Sequence, residues 1–155
     1  MKKYEFTGET KTVPLLFGDV TLHRIQAITS FANVVAGELG GWIEKEENLS
    51  HVGNAWVSGN AQVYGNARVY GNARVSGDAE VFSTRHVLVI GAIGSRDAFT
   101  TFYRDKDNEI TVKCGCFSGK IDKFLEKVAQ THGDSKYAQV YKKAVELAKL
   151  QILTD

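Results

Sequence analysis

Cysteine is scarce in this chain of 155 residues: there are two, and both fall in Cys114-Gly115-Cys116, too close together to staple distant segments. A disulfide framework is excluded, and the usage suits a reducing compartment. Long apolar runs are also missing. The longest, Val87–Ile93, is far too short to span a bilayer, and Lys2 and Lys3 are not followed by the apolar stretch of a signal peptide, so the expected location is the cytoplasm. Neither sign of charge is in excess: the formal net charge is +1, and residues 1–95 carry eight basic against nine acidic side chains. A protein that grips a phosphate backbone usually displays a basic stripe, so nucleic acid is disfavoured as the main partner. The 43% of apolar residues is ordinary for a globular chain of single-unit size, which argues against disorder.

What is present is a repeat. Asn54-Ala55, Asn60-Ala61, Asn66-Ala67, Asn72-Ala73 and Asp78-Ala79 recur every six residues, each Ala followed two positions on by Val57, Val63, Val69, Val75 or Val81. In an extended strand residues two apart share a side, so Ala and Val face inward while Trp56, Gln62, Arg68, Arg74 and Glu80 face outward. Gly59, Gly65, Gly71 and Gly77 stand where the chain must turn, followed by Asn or Asp, which tolerate left-handed backbone. Short strands with a corner every six residues predict a triangular parallel β-helix over 48–94, three units per turn. The first unit, Asn48-Leu49-Ser50-His51-Val52-Gly53, is degenerate, and the register fails at Thr84-Arg85-His86. Two turns alone bury too little, so the stack must be closed by caps or by other subunits.

The flanks supply candidates for those caps. Residues 1–47, with Leu22-His23-Arg24-Ile25-Gln26-Ala27-Ile28 alternating in part like a strand, read as an N-terminal β cap. Residues 95–155 read as a small α+β module. In it, strands over 98–104 and 109–114 join through Asp105-Lys106-Asp107-Asn108 as a hairpin, and two amphipathic helices follow, the first stopping at Gly133. The expected fold class is thus a short β-helix plus α+β.

Leu22-His23-Arg24-Ile25, Gly40-Gly41-Trp42-Ile43-Glu44, Glu47-Asn48-Leu49-Ser50 and the Gly-Asn-Ala-x-Val units resemble a group of phage and prophage hexapeptide-repeat proteins. The likeness extends to Ile93-Gly94-Ser95-Arg96, Thr100-Thr101-Phe102-Tyr103, Cys114-Gly115-Cys116-Phe117 and His132-Gly133, which are similar to a C-terminal module carried by such proteins. The resemblance implies a left-handed sense for the β-helix, and an accessory phage protein acting inside a bacterial host. It brings no catalytic constellation with it.

Residue types nevertheless single out candidate sites. Ser118 reads as the N-cap of the first helix, so that Ser118, Gly119 and Lys120 could hold a phosphate or carboxylate at free backbone N–H groups. Gly94-Ser95-Arg96 is a second flexible turn, whose guanidinium could fork onto the same anion. The loop is not a phosphate-binding Walker A motif, since Cys114 and Ile121 stand at two of its required positions. An ordinary helix cap is the competing reading. Cys114, Cys116 and His132 lack the second ligand pair of a structural zinc site, and no metal or other cofactor is expected. His51 and His86 would be the bases of a hexapeptide acyltransferase, yet no inserted loop interrupts the repeats to build an acyl-donor pocket. The outward aromatics Trp56, Tyr64, Tyr70 and Phe82 are either an oligomer interface or the seat of the C-terminal helices. Residues eighteen apart share a face, placing Tyr64 beneath Phe82 and Trp56 near Arg74.

The expected function is non-enzymatic binding by a homo-oligomer, a trimer by analogy with hexapeptide proteins. It would act in the host cytoplasm on a host protein or a phosphorylated signalling nucleotide, with no membrane partner. An acyltransferase and a polymer-forming protein are the alternatives. The repeat register itself makes a first prediction. Val69→Asp places an unpaired carboxylate inside and lowers the melting temperature sharply, at a cost on the order of several kcal/mol. Arg68→Asp, one residue earlier and outward, has a mild effect, and equal losses would refute the assignment of the two sides.

Overall fold

A computed structural model describes residues 2–153 of the chain. They form two compact units, divided between Thr84 and Arg85. In the first unit, β1 (Tyr4–Leu15) and β2 (Gly18–Ala27) make a long antiparallel hairpin, with a register irregularity between Phe6 and Thr10. Its Tyr4 and Ala27 end is buried, whereas Leu16 and Phe17 at the tip are 93% and 98% exposed. β3 (Leu39–Ile43) pairs antiparallel with β2. The repeats then contribute only two-residue strands: β4 (Trp56–Val57), β5 (Gln62–Val63), β6 (Arg74–Val75) and β7 (Glu80–Val81). β4 pairs in parallel with β6, and β5 with β7, eighteen residues on. The Ala and Val of every unit from Ala55 to Val81 are buried, and the corner glycines Gly59, Gly65, Gly71 and Gly77 all have φ between 61° and 65°.

The expected β-helix with separate caps is overturned by the sheet topology. Strands fall into three separate sheets, ordered β1-β2-β3-β5-β7, β4-β6 and, in the second unit, a four-stranded antiparallel sheet, and none of them forms a solenoid. Six units at three per turn leave each wall no more than two short strands, and the third wall has only an isolated bridge between Leu49 and Val69. The N-terminal segment does not cap a finished stack. It joins the repeats edge to edge through β3, whose Trp42 and Ile43 pair with Gln62 and Val63. Two-residue ladders make few hydrogen bonds, so the longer hairpin dominates the sheet.

The second unit departs from the expected hairpin in the same direction, towards more sheet. β8 (Val87–Ile93), β9 (Ala98–Arg104), β10 (Ile110–Cys114) and β11 (Phe117–Lys120) are consecutive antiparallel neighbours. The Asp105–Asn108 turn joins β9 to β10 as expected, but the flanking strands were hidden. Val87–Ile93 is a continuous apolar run without alternation, and Phe117–Lys120 is short and glycine-bearing. Helices α1 (Ile121–His132) and α2 (Lys136–Ile152) follow, and α1 ends at Gly133 with φ 57°. Phe102, Ile110, Val112, Phe124, Val128, Ala144, Val145 and Ala148 form the core between sheet and helices. Neither helix is long and apolar enough to cross a membrane.

Because the repeat strands are so short, side chains must satisfy backbone carbonyls in the first unit that no ladder reaches. Asn48 Nδ2 donates to the carbonyls of Gly65 and Ala67, and Tyr4 Oη donates to Leu49 O at 2.6 Å. Lys3 Nζ donates to Ala55 O at 2.6 Å and lies 4.6 Å from the centre of the Phe31 ring. Burial, with a smaller contribution from the Arg74 charge, pushes the Lys3 ammonium down from 10.5 to about 8. Between these values the unfolded chain binds the Lys3 proton and the folded chain does not, so stability rises with pH. We expect chemical denaturation to show a gain on the order of 1–2 kcal/mol from pH 8 to 10, absent in Lys3→Met. Above pH 10 the trend reverses, because burial and the charges of Glu46 and Glu47 keep Tyr4 protonated when folded.

Candidate anion cleft in the second unit

β9 and β10 pair so that Thr100 faces Cys114, which brings the β8–β9 turn and the β10–β11 turn to one end of the sheet. The first of these turns is Gly94-Ser95-Arg96-Asp97, closed by Asp97 N–H donating to Gly94 O at 3.3 Å. The second is the two-residue turn Gly115-Cys116 between Cys114 and Phe117, with Gly115 at φ 57°. Helix α1 lays Phe124, Lys127, Val128, Thr131 and His132 along the same opening, and α2 contributes Tyr141. Together they enclose a cleft of about 280 Å³.

Its floor is apolar and aromatic. Tyr141 is buried, meets Phe124 edge-on at 5.5 Å and lies 5.8 Å from the His132 ring at 27°. Gly94, at φ 81°, is the seat of the Tyr141 hydroxyl; any Cβ there would collide with it. Thr100 Oγ1 donates to Cys114 Sγ at 3.3 Å, and that thiol faces Tyr141 Oη at 3.9 Å. Burial first, and the neighbouring Cys114 second, push the Tyr141 phenol up to about 12, with Arg96 pulling the other way.

Its rim is cationic. Arg96 and Lys127 are exposed and make no hydrogen bond or ion pair among the described residues, and no carboxylate or amide side chain lines the opening. Desolvated apolar walls beside unpaired cations favour an anion, because no protein carboxylate competes for them.

The two turns expected to converge do not. Ser95 and Arg96 line the cleft and Gly94 buttresses it, but Ser118, Gly119 and Lys120 lie in β11, paired with Lys113, Val112 and Thr111. Ser118 is exposed and is not a helix cap. The helix begins only at Ile121, with Lys120 at the N-cap position and no side-chain cap bond. Lys120 sits at the other end of β10, where its Nζ meets Asp105 at 3.0 Å and Asp107 and Glu109 at 2.8 Å each. Spacing on α1 could have identified Lys127 and Thr131, which share the flank of Phe124 and Val128. Tyr141 could not have been found that way, since it comes from the other helix. Cys114 and His132 border the same cleft, yet no group of three metal-type side chains converges among the described residues.

The remaining candidates lie elsewhere. Of the outward aromatics, Trp56 and Tyr64 are buried within the first unit, Trp56 against Phe31 and Tyr4, and Tyr64 against Leu22, Trp42 and a stacked Phe82 at 5.4 Å. They are core, whereas Tyr70 is 65% exposed and Phe82, though stacked on Tyr64, keeps 39% of its surface exposed. His51 stacks on Tyr4 and has both nitrogens committed. Its Nδ1 accepts from Lys3 N–H at 3.0 Å and its Nε2 meets Glu46 Oε1 at 2.9 Å. His86 is buried.

In comparison with known proteins, the repeat segment is similar to hexapeptide-repeat chains. The YdcK β-solenoid repeat family matches residues 61–77 and 67–81. The uncharacterized acetyltransferase YdcK of Escherichia coli (strain K12) is 37% identical over 61 residues, 37% of this chain and 19% of that protein. The chain thus spans about a fifth of the length of this curated relative.

The buried Asp105 cluster yields a stability prediction. Burial raises the Asp105 carboxyl, but hydrogen bonds from Thr111, Lys120 and the N–H groups of Glu109 and Asp107 together outweigh it and hold it below 3.8. Its stabilisation is therefore present above about pH 4 and lost as pH falls through the folded value. Asp105→Ala should destabilise by about 2 kcal/mol at pH 7, since it strands those donors. The loss should shrink in acid, as thermal melts at pH 7 and pH 3 would reveal.

Proposed function

We propose that the protein is a non-enzymatic, oligomeric binding protein of phage or prophage origin. It acts in the host cytoplasm against host defence by capturing a phosphorylated small molecule. The observation that carries the capture reading is the cleft with Arg96 and Lys127 unpaired at its rim and no carboxylate in its lining. The phage setting rests on the motif resemblance, and self-association on the exposed Tyr70 and Phe82. A host protein as the captured partner is the variant reading, and a pull-down from host lysate separates it from small-molecule capture.

A second reading, acetyl transfer, is favoured by the name of the E. coli relative. It needs a histidine with a free basic nitrogen. His51 has none, because its ring already accepts at Nδ1 and faces Glu46 at Nε2, and His86 is buried. Thiol release from acetyl-coenzyme A in the presence of amine acceptors tests this directly, and turnover abolished by His51→Ala or His86→Ala would establish the enzyme reading instead.

For the binding reading, calorimetric titration with phosphorylated compounds should show Arg96→Ala weakening affinity by about tenfold or more, the loss of one charge-assisted contact. Lys120→Ala should leave affinity unchanged, since its ammonium is held by three carboxylates at the far end of β10. Comparable losses in the two variants would refute the cleft as the site.

A further inference from the structure

We infer that the cleft takes a small organic anion with an apolar body and a single phosphate or carboxylate head, in preference to a nucleotide. This rests on the capture reading and narrows its ligand class. Size is the first argument. About 280 Å³ lies just below the range for small-molecule sites, roughly 300–1,000 Å³, and would enclose only part of a cyclic dinucleotide. Hydrogen-bonding chemistry is the second. A ribose and a base bring several donors that need acceptors, and a nucleotide site usually supplies carboxylates or amides for them. This lining has neither. Its interior is Ala98, Phe117, Phe124, Val128 and the Tyr141 ring, with cations only at the rim. Against those apolar side chains a sugar would exchange its water for few partners, the hydroxyls of Ser95, Thr131 and Tyr141 and the His132 ring, at a cost that an aryl or branched alkyl group avoids.

Head and body are thus assigned to different parts of the cleft. The head lies against the Arg96 guanidinium, which can fork onto two oxygens, with Lys127 adding a second charge. The body lies on Phe117, Phe124 and Tyr141, where area burial and ring contacts favour a flat apolar group. Inorganic phosphate would meet only the rim. A neutral phenol would meet only the floor.

The test is calorimetric titration of the full chain with phenyl phosphate, inorganic phosphate, phenol and adenosine monophosphate. Arg96→Gln and Lys127→Gln variants are run alongside, with thermal melts to confirm that both stay folded. Phenyl phosphate should bind at least about tenfold more tightly than the other three, and Arg96→Gln should lose about tenfold of that affinity. Benzoate in place of phenyl phosphate identifies the preferred head, and tight binding of either supports the inference. Adenosine monophosphate or inorganic phosphate matching phenyl phosphate would overturn the apolar-body inference while leaving anion capture standing. If none of the anions binds, capture itself fails and the inference falls with it. Phenyl phosphate bound with undiminished affinity by both variants would place the site elsewhere and overturn the inference as well.

Discussion

Backbone carbonyls that no ladder can reach are the constraint on which the first unit depends. A strand of two residues makes one step of pairing, and the repeats offer only such strands, so burying their Ala and Val stripe would strand polar backbone in an apolar interior. Tyr4, Asn48 and Lys3 answer this by donating directly to carbonyls of Leu49, Gly65, Ala67 and Ala55. Tyr4 and Lys3 lie outside the repeats, and Asn48 heads their degenerate first unit. The N-terminal segment adds β1, β2 and β3 to the sheet and covers Trp56. A repeat too short to close on itself is completed by irregular sequence.

The second unit solves its backbone problem in the ordinary way, with four antiparallel strands and two helices, and can therefore leave side chains uncommitted. The contrast between Lys120 and Arg96 is instructive. Both are cations at turns of one sheet, but Lys120 is enclosed by Asp105, Asp107 and Glu109 and fastens the β9–β10 turn. Arg96 meets no carboxylate, and the cleft beside it is apolar. Charge that is neutralised in place contributes to stability, whereas charge left facing an apolar hollow is available to a ligand.

Candidate residues were legible to different depths for physical reasons. Ser95 and Arg96 were identifiable because a Gly-Ser-Arg turn is local chemistry. Ser118 failed as a helix cap because its neighbourhood, Phe117 to Lys120, satisfies its backbone against β10 before the helix starts. Trp56 and Tyr64 looked like surface aromatics because their alternation places them outward from the repeat axis. That side is covered by residues such as Phe31, Leu22 and Trp42, and no periodicity within the repeats announces the cover.

The six-residue period determined by itself that the Ala and Val of the repeats face inward, where the chain turns, and that residues eighteen apart meet, Trp56 with Arg74 and Tyr64 with Phe82. It could not determine that these units form no solenoid. That outcome depends on whether a short ladder or a long hairpin wins the neighbouring edge. The cleft was likewise settled only in three dimensions. Arg96, Lys127 and Tyr141 are separated by a strand, a turn and a helix, and become neighbours only when the sheet and both helices bury their shared apolar face.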